Sequence, residues 1–117
     1  MAMNFLLAHT TSLTYAYRAG GPRLLDVYRT MAQAGGRELA ISRTVAFEIE
    51  AGPLRRELGE YLVDRKVPIL EAPETQRLLR TGAISHEGAS NDSLIEIANR
   101  ELEEGRSPIV WSDYEHA

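Results

Sequence analysis

Three carboxylates carry the chemistry this sequence could do: Glu48, Asp92 and Asp113. Each follows an apolar run that reads as a strand, or sits on a helix such a run leads into. Thr10 lies just past the first run, and Ser112 directly precedes Asp113. Clustered carboxylates repel one another unless cations neutralise them. An all-oxygen ligand set suits hard ions, so Mg²⁺ or Mn²⁺ is the natural occupant. A metal held in this way can activate water and stabilise charge on a phosphodiester.

Each of these residues also has a plainer role. A glutamate on a helix, such as Glu48 beside Glu50, ordinarily faces solvent. Asp92 near a helix start favours the helix dipole and caps backbone donors. Asp113 suits a turn. Glu96 either extends an acidic wall beyond Asp92 or faces solvent. His9, His86 and His116 have no ligand spacing. Arg55, Arg56, Arg65 and Lys66 serve solubility and helix pairing, or contact phosphate. Trp111, Tyr15, Tyr17 and Tyr28 suit a core or an interface.

The elements that must position these groups follow from apolar spacing and from breakers. Asn4 to Leu7 reads as a buried strand. Thr10 or Thr11 caps a helix to about Ala19, stopped by Gly20-Gly21-Pro22. A second helix, opened by Pro22, ends at Gly35-Gly36. Leu39 to Ser42 is a second strand and Thr44 to Ala51 a helix. Leu54 to Lys66 carries apolar residues at three- and four-residue steps. Val67 to Glu71 reads as a third strand, Pro73 to Arg80 as a short helix, and Thr81 to Ala89 as a loop. Ser90-Asn91-Asp92 is expected to cap the helix that stops at Gly105, before a fourth strand at Pro108 to Trp111. Strands alternating with helices imply a mostly parallel, four- to five-stranded sheet covered by helices, a three-layer α/β/α domain. Ligands gather at the carboxyl ends of such strands.

At 117 residues the chain is expected to form a single domain over 1–117. Thirteen Lys and Arg, twelve of them Arg, oppose seventeen Asp and Glu for a formal charge of −4. That balance argues against a passive nucleic-acid binder more than against a nuclease. Cysteine is absent, which excludes disulfides and thiolate metal sites and fits a cytoplasmic location. No apolar run approaches the roughly 18 residues of a membrane span, so no membrane partner is expected. No Walker loop, GxGxxG fingerprint, HExxH pair or nucleophile elbow is present.

In order and local context, these segments resemble the PIN-domain family of metal-dependent ribonucleases, including VapC-like toxins. Family members open with an apolar strand ending in Asp-x-Thr/Ser. Here it reads Asn4-Phe5-Leu6-Leu7-Ala8-His9-Thr10, so Ala8 stands where the first metal-binding Asp belongs. The second acid, a helical Glu followed by Gly, matches Thr44-Val45-Ala46-Phe47-Glu48-Ile49-Glu50-Ala51-Gly52. The third, an Asp opening Asp-x-x-Ile-x-x-x-Ala, is similar to Asp92-Ser93-Leu94-Ile95-Glu96-Ile97-Ala98, with the alanine one place nearer. The fourth follows a short strand, as in Ile109-Val110-Trp111-Ser112-Asp113.

The resemblance implies an endoribonuclease of toxin type. Mg²⁺ or Mn²⁺ would be held by Glu48, Asp92, Asp113 and the residue at position 8, with Thr10 and Ser112 in support. Thr10 is then a helix cap, the hydroxyl that steadies a metal-bound water, or both. RNA, including tRNA, is the expected substrate, and an antitoxin or immunity protein the expected inhibitor. A homodimer through the first two helices is also implied. Two departures stand out. Ala8 cannot ligate metal, and the family's strand after the fourth acid is missing. Met1-Ala2 reads as a cloning extension before Met3, and Ala8 as a deliberate inactivation of a toxic nuclease, with natural loss of the acid as the alternative. The competing expectation is a non-catalytic PIN-like interaction module. A receiver-like or flavodoxin-like sheet is a further one, but it calls for a phosphoacceptor Asp at a central strand end.

Overall fold

The computed structural model describes residues 3–112. Asp113 and His116 lie outside the described residues. Within them, four strands, β1 (Asn4–Ala8), β2 (Arg37–Ser42), β3 (Ile69–Leu70) and β4 (Ile109–Trp111), form one sheet in the order β3-β2-β1-β4. All three pairings are parallel. Five helices cover it: α1 (Thr10–Ala34), α2 (Arg43–Ala51), α3 (Arg55–Asp64), α4 (Pro73–Arg80) and α5 (His86–Glu103). The architecture is the expected three-layer α/β/α arrangement.

The strand order explains the layers. The chain steps from β1 to β2 to β3 in one direction, then returns across the sheet to β4. Right-handed crossovers therefore put α1, α2 and α3 on one face and α4 and α5 on the other. Burial agrees: Leu39, Ala40, Ile41 and Ser42 are buried in succession, which requires cover on both faces of β2. Leu7, Leu13, Leu25, Leu58, Leu94 and Ile97 fill the core.

Four expected boundaries are corrected. The two early helices form one element, kinked at Gly21, whose φ of 65° and ψ of −159° only glycine adopts readily. The third strand shrinks to Ile69–Leu70, paired with Ile41 and Ser42. The reason is that the Val67 N–H turns back to the Leu62 carbonyl of α3, and Pro68, which has no N–H, meets β2 only by accepting from the Ile41 N–H. The cap of α1 is His9 instead of a threonine: its Nδ1 accepts from the Thr11 backbone N–H at 3.1 Å. Most consequential for the site, α5 begins at His86, so Thr81 to Ser85 is the loop and Asp92 does not open the helix. Ser90 looks like a cap by type, but it is fully buried inside the helix, where tertiary contacts decide its place.

Candidate functional site

β1 and β4 are neighbours, yet the chain leaves β1 toward β2 and reaches β4 from the opposite edge. Their carboxyl ends thus flank the crevice where open α/β sheets bind ligands. Ala8 pairs in register with Trp111, so Ala8 and Ser112 meet at that crevice. The His9 backbone N–H and the Ser12 hydroxyl both donate to the Trp111 carbonyl at 3.0 Å, fastening the start of α1 to the end of β4. Ala8 is wholly buried. Ser112 Oγ is also buried and has no hydrogen-bond partner among the described residues.

The first residue of α1, Thr10, donates its hydroxyl to Glu48 Oε1 at 2.5 Å. With His9 capping the helix, this hydroxyl is committed to the carboxylate. Burial pushes the His9 imidazole below its usual pKa, against the opposing pull of Glu48. The low value fits an imidazole whose Nδ1 accepts from the Thr11 N–H, and Thr11 Oγ1 lies 2.9 Å from the same nitrogen.

Glu48 reaches this position because α2 starts at the carboxyl end of β2 under a buried cap. The Val45 N–H donates to Ser42 Oγ at 3.0 Å, Ser42 Oγ meets Ser93 Oγ at 2.7 Å, and Ser93 Oγ donates to the Ser90 carbonyl at 2.7 Å. Each hydroxyl has one proton. Ser93 spends its proton on Ser90, so Ser42 must donate to Ser93. Nothing local in the sequence announces this chain of hydroxyls, although a serine after a strand is an ordinary cap signal for Ser42.

Of the predicted acids, Glu48 and Asp92 lie within the described residues, on α2 and α5. Asp92 neighbours Ser93 but is exposed on α5, with no hydrogen bond or ion pair among the described residues. Among the described residues, no three His, Asp or Glu side chains form a group that could hold a metal ion. Glu48 and Thr10 offer oxygen donors, Ala8 offers none, and Asp113 is outside the described residues. This donor set does not by itself fit a divalent cation.

Other candidates have structural duties. Glu96 neither extends an acidic wall nor faces solvent: it accepts from the Glu74 N–H (3.0 Å), the Thr75 N–H (2.8 Å) and the Thr75 hydroxyl (2.7 Å), capping α4 from α5. Arg65 pairs with Asp26 at 2.8 Å and lies over the Tyr61 ring, so it is not a free phosphate contact. Trp111 packs against Tyr28, with ring centroids 4.5 Å apart. No helix among the described residues is long and apolar enough to cross a membrane. No family model matches the chain, and no match is found among curated proteins or solved structures.

Proposed function

We propose that this chain is a PIN-like domain of the kind that hydrolyses RNA phosphodiesters with Mg²⁺ or Mn²⁺, held inactive in this sequence by Ala8. The observation that carries the reading is the Thr10–Glu48 hydrogen bond beside Ala8 at the β1/β4 crevice. A hydroxyl and a carboxylate from different helices meet there, at strand ends where parallel sheets place ligands. The one motif position lacking an oxygen is the buried Ala8 between them and β4. A carboxylate at position 8 would add the missing donor, with Asp92 and Asp113 as the other acids. On this reading tRNA or another structured RNA is the substrate, and an antitoxin or immunity protein covers the site. A homodimer through the exposed face of α1 accords with the exposure of Val27 and Met31.

A non-catalytic interaction module is the second reading, favoured by Ala8, whose side chain offers no ligand atom. The test is cleavage of a tRNA and structured-RNA panel by Ala8→Asp protein, with Mg²⁺ or Mn²⁺ and with EDTA. Metal-dependent cutting by Ala8→Asp, absent from the Ala8 protein and from an Ala8→Asp, Asp92→Asn double variant, is expected. No cutting by a folded Ala8→Asp protein would replace the ribonuclease reading with the module.

A further inference from the structure

A cavity of about 320 Å³ lies between α2, α4 and the start of α5, lined by Thr44, Phe47, Gln76, Leu79, Arg80 and His86. We infer that it is a nucleotide subsite, holding one base of an RNA strand whose neighbouring phosphate meets Arg80 and the start of α5. The inference rests on the ribonuclease reading and adds how the strand would be gripped beside Glu48.

Size and lining select the ligand class. The cavity is at the small end of ligand pockets, room for one ring system and not for the row of anchors an amphipathic helix would insert. Its walls are mainly apolar, from Phe47 and Leu79. Phe47 is 59% exposed, so its ring is free to stack on a base. Gln76 supplies an amide that can both donate and accept toward a base edge. Arg80 ends α4 and His86 begins α5, and neither is in an ion pair among the described residues. Ser85, at the cap position of α5, makes no capping bond, so the N–H groups of that first turn remain open to an anion. Glu87 shares the turn and opposes an anion there, so the arginine that lines the cavity, Arg80, must supply the positive charge.

The placement is also right for a strand passing the proposed site. Thr44 and Glu48 are four residues apart on α2 and so share a side of the helix. His86 and Asp92 are both on α5. A base in the cavity would therefore lie along the same two helices that carry Glu48 and Asp92.

The test is fluorescence anisotropy with a short fluorescein-labelled oligoribonucleotide and the Ala8 protein, alongside its Phe47→Leu and Arg80→Gln variants. Both positions are exposed, so the variants should fold. Each is expected to weaken binding by roughly tenfold. An abasic position scanned along the oligonucleotide should reproduce the Phe47→Leu loss at one register and cost nothing further in that variant. Arg80→Gln should also lower the salt dependence by about one counterion. Binding equal to the parent protein in both variants, or no binding to the Ala8 protein, overturns the subsite. Cleavage by Ala8→Asp is scored separately, so cutting with unaltered variant affinities would reject the subsite and leave the ribonuclease reading standing.

Discussion

The hydroxyl chain from the Val45 N–H through Ser42 and Ser93 to the Ser90 carbonyl has one possible direction, and every member is buried or backbone. Removing one link leaves its neighbour without water or a partner, at a cost of about 1–3 kcal/mol. Ser42→Ala and Ser93→Ala should each lower the urea midpoint accordingly. The double variant should cost less than the sum of the two, because both break the same chain. Thr10 acts differently: its hydroxyl holds a carboxylate that would carry the chemistry. In the Ala8→Asp protein, Thr10→Val should reduce cleavage by about 10–100-fold, read as initial rate with thermal stability as control. Thr10 and Glu48 could be singled out in the sequence because both follow strand ends, but their hydrogen bond, between residues 38 apart, could not. Ser93 could not be singled out, since its partner lies 51 residues away and nothing local announces it.

At the scale of elements, tertiary contacts moved the boundaries that local signals set. Ser90-Asn91-Asp92 has the composition of a helix start, but α5 runs through it because Ser90 and Ser93 are drawn into the interior beneath α2. Breakers performed better: Gly20-Gly21-Pro22 marked the kink in α1, and Pro73 marked the start of α4. The cap of α4 was hidden, because it is supplied by Glu96 on another helix. Glu96→Ala should cost about 1 kcal/mol by thermal melt and speed amide exchange in the first turn of α4. Gly21→Ala forces a side chain into a positive-φ region and should destabilise by about 1–3 kcal/mol, with no change at the strand ends. The alternation of strands and helices was enough to give the layered parallel sheet, because parallel pairing requires such crossovers.

For the molecule as a whole, Asp26 joins α1 to α3. It accepts from the Tyr61 hydroxyl at 2.8 Å and pairs with Arg65. The Arg65 hydrogen bonds, against a smaller opposing effect of burial, hold the Asp26 carboxyl below its usual pKa. Burial, then the bond to Asp26, pushes the Tyr61 phenol well up. A carboxyl depressed on folding stabilises the protein above its unfolded pKa, and that contribution is lost as pH falls through the folded value. Asp26→Asn should therefore melt below the parent at neutral pH, and the two curves should converge at acid pH. Glu101, paired with Arg106 at 2.5 Å and held low by it, adds to the same loss of stability with acid.

The strand at the start of the chain finds one of its two partners near the end: Leu6 lies opposite Ile109, and the Ser107 N–H donates to the Asn4 side chain at 2.8 Å. During synthesis the chain emerges from its amino end, so β1, β2 and β3 can assemble while β4 is still inside the ribosome. The crevice between Ala8 and Trp111 cannot close until then. Whatever that crevice does, a nascent chain is without it until β4 has been made.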